Sequence, residues 1–234
     1  MEKRPLVFEE IKDRIRFRLL SREIFHDYLD CFLWRPVTEG ILLVYYMEKE
    51  RAAEKAAGEA FDRYNLFDFQ EKHLKEMGIS REQMEEAAME NMQKYHSLDV
   101  QNISREMVQV QEKLGTLTDE TREYFSKEEN QVYRMGLHGS YYGAAAMAYP
   151  HVLDFVAELM GGDFILYPTS VCEVMLTRIP EAEPVPYQEM LKQMMGSNRE
   201  FLTPVEYLDF AVYHYHANEK RLERKGGDGT WHLT

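Results

Sequence analysis

Residues 164–176 read FILYPTSVCEVML, two short apolar runs separated by Pro168-Thr169-Ser170. Aromatic and β-branched residues in runs of four to six, broken by turn formers, are the pattern of a β-hairpin. The spacing predicts strands at 164–167 and 171–176. Upstream, Val152, Leu153, Val156, Leu159 and Met160 recur at helical spacing. Pro150 suits the first turn of that helix, and Gly161-Gly162 suits its end. A helix feeding a tight antiparallel pair sets the class as α+β, with mixed helices and a small, mostly antiparallel sheet.

Working outward, Gly40–Tyr46 (GILLVYY) reads as a buried strand, and Val132–Met135 and Tyr213–His216 as further strands. Ser80-Arg81-Glu82-Gln83 forms a capping box that opens a helix reaching about Tyr95, with Met84, Ala87, Ala88 and Met92 inward. Thr203-Pro204-Val205-Glu206 is a second box with proline at its first helical position. Helices are also expected over 48–63, 118–125 and 187–195. At the N-terminus, Phe8, Ile11, Ile15 and Leu19 fall three or four apart and predict a helix. In that helix Arg14, Arg18 and Arg22 would line up as a basic ridge. These elements divide the chain into a mostly helical region, 1–130, an α+β region, 131–224, and a tail, 225–234.

The formal net charge is −13, from 41 acidic and 28 basic residues. Residues 1–22 run against this, with seven basic and four acidic side chains, leaving the rest at −16. Such a balance argues against nucleic-acid binding, which needs clustered Lys and Arg, and against anionic membrane surfaces for the same reason. With 44% hydrophobic and 12% aromatic residues the chain is built to fold. No apolar run approaches the roughly 20 residues of a membrane span, and residues 1–5 (MEKRP) lack an apolar leader, so a cytoplasmic setting is expected. Cys31 and Cys172 are expected as unpaired, buried thiols.

Residues 143–176 (GAAAMAYPHVLDFVAELMGGDFILYPTSVCEVML) and 198–216 (NREFLTPVEYLDFAVYHYH) resemble the C-terminal half of an uncharacterised family of Gram-positive bacterial proteins. That family carries a "GA…YP" helix start and a hairpin usually written PSSIHEV. The matching positions include Gly143, Ala144, Tyr149, Pro150, Pro168, Ser170, Glu173, Pro204, Glu206, Tyr213 and Tyr215. Residues 74–91 resemble the family's middle helix, so the resemblance spans 74–91 and 132–223. It implies a mixed α+β architecture and no chemistry. Where the family has His-Glu, this chain has Cys172-Glu173, which speaks against an essential histidine there.

No motif implies a cofactor. Cys172 and Glu173 with His151 are the nearest approach to a nucleophile set, which needs thiol and base within hydrogen-bond reach. Against this stands the inertness of thiols in apolar strands. His214 and His216 alternate along a strand, so their rings share a face, but no third metal ligand has a recognisable spacing. The basic ridge is a docking site for an acidic partner or a solvated face paired with the chain's own carboxylates. Three functional readings follow: a non-catalytic acidic module that binds a protein partner, an inhibitor from a phage or mobile element that mimics nucleic-acid charge on a defence nuclease, and a small hydrolase using Cys, His and Glu of the C-terminal region.

Overall fold

A computed structural model describes residues 5–48, 66–180, 184–198 and 201–226. In chain order the elements are α1 (Phe8–Ile11), β1 (Ile15–Ser21), β2 (Trp34–Pro36), β3 (Ile41–Glu48), β4 (Leu66–Asp68), α2 (Glu71–Met77), α3 (Arg81–Tyr95), β5 (Leu98–Asn102), α4 (Ile103–Leu114), α5 (Asp119–Ser126), β6 (Val132–Leu137), α6 (Val152–Met160), β7 (Phe164–Tyr167), β8 (Val174–Arg178), α7 (Tyr187–Asn198), β9 (Val212–His216) and β10 (Arg221–Lys225). Short 3-10 turns fill several of the connections, including Gly143–Ala148 and Pro204–Glu206. The α+β expectation holds, with two antiparallel sheets in place of one. The helix expected over 48–63 and most of the tail lie outside the described residues.

The first sheet is built on β3, which pairs with β1, β2 and β4. Every residue of β3 from Ile41 to Met47 is buried, as its apolar run foretold. β1 corrects the expected N-terminal helix. Its neighbour β3 supplies seven paired positions, Ile15↔Met47 to Ser21↔Ile41. Asn91 of α3 donates to the carbonyls of Lys12 (2.6 Å) and Ile15 (3.0 Å). Tertiary hydrogen bonds and burial on both faces therefore override the helical spacing of Phe8, Ile11, Ile15 and Leu19.

The basic ridge dissolves with that helix. Arg14 precedes the strand, Arg22 follows it, and Arg18 is buried within it, 8% exposed. The Arg18 guanidinium donates to Asp68 Oδ1 (2.7 Å) and Tyr142 Oη (3.0 Å) and lies over the Tyr46 and Tyr142 rings. A charge this far from water is held only by such pairing.

The second sheet has the order β10-β9-β7-β8-β6-β5. The expected hairpin is its centre, Tyr167↔Met175 to Phe164↔Arg178, although β8 starts at Val174 and leaves Cys172 in the connecting loop. One face carries Phe164, Leu166, Val174, Leu176, Tyr213 and Tyr215 into a core shared with β1, β3 and α3. α3 opens with its capping box, Ser80 Oγ accepting from Gln83 N and Gln83 Oε1 from Ser80 N, and buries Met84, Ala88 and Met92. β5 pairs with β6 across residue 130, and the same core runs through both expected regions. On the other face Ile165 and Val212 pack against Leu191, Met194 and Met195 of α7. α7 covers only part of that face, and the uncovered part positions the sites described next.

Candidate functional site

The loop bearing Cys172 is stitched on both sides. Ala144 N donates to Val171 O (3.2 Å), and Val171 N to Glu206 O (2.9 Å). At Gly143 a Cβ would stand 2.2 Å from the Cys172 carbonyl oxygen, so only glycine admits this approach. Glu206 is fixed in turn by Thr203, in the expected capping box, and by the Tyr141 hydroxyl (2.5 Å). Gly143, Ala144, Ser170, Pro204 and Glu206, which carry the resemblance, thus form a structural joint.

The nucleophile set finds little support in this joint. Burial pushes the Cys172 thiol above its ordinary pKa, and Glu206 and Glu173 push the same way. A reactive cysteine needs the opposite shift. Glu173 faces Arg134 (3.5 Å). His151 caps α6 in a left-handed conformation, 87% exposed, and pairs with Asp154 (3.7 Å). Its position also moves Pro150 outside the helix, one residue before the cap. Both cysteines are free as expected, but Cys31 is exposed and Cys172 half-buried.

His214 and His216 do share a face of β9, and the sheet register supplies what sequence spacing did not. Phe164 pairs with Tyr215, which sets Asp163 beside the two histidines on the same face. Asp163 Oδ2 lies 3.1 Å from His214 Nε2 and 3.5 Å from His216 Nδ1, and the rings stack with centroids 4.0 Å apart. The far nitrogens are engaged too: His214 Nδ1 with Tyr187 Oη (2.9 Å) and His216 Nε2 with Glu223 Oε2 (2.8 Å). Burial holds the His214 pKa below its ordinary value. The Asp163 carboxyl is lowered as well: burial opposes this, and the Ala217 N–H and His214 outweigh it. This is the metal-ligand type cluster found among the described residues.

The uncovered part of the same face is a groove of about 600 Å³ between α7 and the segment following α5. Tyr167, Met175, Met190 and Met194 form its apolar floor and wall. Glu129, Glu173 and Glu189 stand around it with Arg178, which is paired with Glu128 (3.1 Å). In sequence these residues lie in four separate stretches of chain, so no local spacing announces them.

A model described as a family of unknown function, DUF5688, matches residues 3–217. The chain belongs to DUF5688. The match takes in residues 3–70, which the resemblance had left out, and both β1 and β9. Within DUF5688 boundaries fall Asp163, His214, His216 and the whole groove, whereas Glu223 lies beyond them. No curated protein and no solved structure matches this DUF5688 chain.

Proposed function

We propose that this protein is a non-catalytic binding module whose groove between α5 and α7 takes a basic, apolar segment of a partner protein. The observation that carries the reading is the pairing of a Met-rich floor, Met175, Met190 and Met194, with Glu129 and Glu189 at its edge. Methionine surfaces adapt to varied apolar side chains, and the carboxylates favour Lys or Arg beside them. A volume near 600 Å³ suits a few side chains.

The charge-mimicking inhibitor needs free carboxylates in a continuous face. Many here serve the chain's own cations: Asp68 with Arg18, Asp99 with Arg134, Asp154 with Lys220 and Asp209 with Arg224. The hydrolase reading rests on a thiol whose pKa runs the wrong way. The groove is therefore the reading with most behind it.

The test is fluorescence anisotropy of labelled peptides with the full chain. A peptide of alternating Lys and Leu binds, and its affinity falls as salt rises. Acidic-apolar and basic-polar peptides of the same length bind at least about tenfold more weakly, a difference of about 1.4 kcal/mol. Met175→Asp and Glu189→Lys each weaken the Lys-Leu peptide by a similar factor, with circular dichroism unchanged. Equal binding to both variants and wild type would remove the groove from the account.

A further inference from the structure

We propose that Asp163, His214 and His216 form a binding site for a divalent transition-metal ion of the zinc class. The site stands on the face of β9, which is flanked by β10 and β7, and does not depend on the groove.

Geometry comes first. Ligand atoms about 2.0–2.2 Å from one tetrahedral ion lie about 3.3–3.6 Å apart, close to the distances here. Asp163 Oδ2 is 3.1 Å from His214 Nε2 and 3.5 Å from His216 Nδ1. All three donor atoms lie within 4.8 Å of one another, so a small ring rotation closes the set. Three protein ligands leave a fourth position open. With the Asp163 side chain 38% exposed, water or a ligand oxygen can reach it.

The outer contacts fit the same assignment. An ion on His214 Nε2 leaves its Nδ1 protonated, and that N–H points at the Tyr187 hydroxyl oxygen, 2.9 Å away. An ion on His216 Nδ1 leaves an Nε2–H aimed at Glu223 Oε2, 2.8 Å away. Asp163 Oδ1 accepts from Ala217 N (2.9 Å), which fixes the carboxylate. Each ligand is thus held from behind by a second group, the arrangement that sets tautomer and orientation in metal sites. Lys225 binds Glu223 Oε1 (2.7 Å), and Arg221 lies 3.6 Å from the Oε2 that faces His216.

Donor type narrows the ion. Two imidazoles and one carboxylate suit zinc and its neighbours in the first transition row. Calcium and magnesium prefer all-oxygen sets. An ordinary ion pair accounts for either histidine alone. Two stacked rings sharing one carboxylate oxygen, each braced at its far nitrogen, bring three donor groups to where one cation can take them.

The experiment is isothermal titration of the tag-free, chelator-treated full chain with Zn²⁺, backed by competition with a chromophoric chelator. One equivalent of Zn²⁺ binds and raises Tm, Co²⁺ gives a tetrahedral absorption band, and Mg²⁺ does neither. Asp163→Asn, His214→Gln and His216→Gln lose more than about 100-fold in affinity, while Tyr187→Phe and Glu223→Gln lose about 10–100-fold. His26→Gln and His151→Gln, at exposed histidines, change nothing. Circular dichroism of each chelated variant separates lost binding from lost fold, and the two outer variants keep the test valid if an inner one unfolds. Absence of a one-to-one event, or an event that survives both Asp163→Asn and His214→Gln, overturns the proposal.

Discussion

Asp209→Ala removes the acceptor at the centre of the joint between the two sheets. Asp209 is 1% exposed and sits just before β9. It accepts from Arg224 Nε and Nη2, both at 3.0 Å, from Phe210 N at 2.7 Å, and from the Tyr213 hydroxyl. Tyr213 in turn contacts Thr38 (2.8 Å), and Gly40 packs so closely that a Cβ would overlap the Asp209 carboxylate. Losing one partner of a buried pair costs about 3–5 kcal/mol. The Arg224 side chain is 23% exposed and reaches water, which places the loss near 3 kcal/mol. The raised pKa of Arg224, caused first by its hydrogen bonds to Asp209, agrees in direction. Against a total of about 5–15 kcal/mol this is a large fraction. In urea, at a slope near 3 kcal/mol/M, the midpoint falls by about 1 M. A double-mutant cycle with Arg224→Ala gives strong coupling, because the second change relieves the charge stranded by the first. A loss under about 1 kcal/mol, the worth of an exposed pair, refutes the reasoning.

Gly143→Ala forces backbone apart at the Cys172 carbonyl and costs about 1–3 kcal/mol in chemical denaturation, whereas Gly196→Ala, with nothing within 4 Å, is neutral or stabilising. Ser80→Ala removes the α3 cap and costs about 1 kcal/mol in the same assay. Acid stability has a definite sign. Hydrogen bonds from Lys225 and His216 lower Glu223 from 4.5 to about 2, and Lys220 and Tyr215 lower Asp154. Both folded-state values lie below the unfolded ones, so their contribution is present above the ordinary carboxylate range and is lost as pH falls through it toward 2. Glu223→Gln flattens the fall of the urea midpoint across that window.

How much of this was legible follows the range of the forces involved. Capping boxes at Ser80 and Thr203, the β3 run and the 164–176 hairpin are local patterns, and each formed. β1 was misread because burial on both faces hides the alternation of Ile15, Phe17 and Leu19, while Ile11, Ile15 and Leu19 keep a helical spacing. Arg18 looked like a surface cation, since its partners Asp68 and Tyr142 lie 50 and 124 residues away. β5 and α4, in a polar stretch, were not foreseen at all. His214 and His216 were visible as a pair. Asp163 was not, because it joins them through the β7–β9 register, 51 residues upstream of His214.

The groove is tested most directly by methyl NMR of the full chain with ¹³C-labelled methionine, titrated with the basic, apolar peptide. Among the described residues Met175, Met190 and Met194 line the groove, while Met84, Met92 and Met135 are buried in the core away from it. Saturable shifts are expected at the first three and none at the last three. Shifts confined to other methionines, or none at peptide concentrations where anisotropy reports binding, would contradict it.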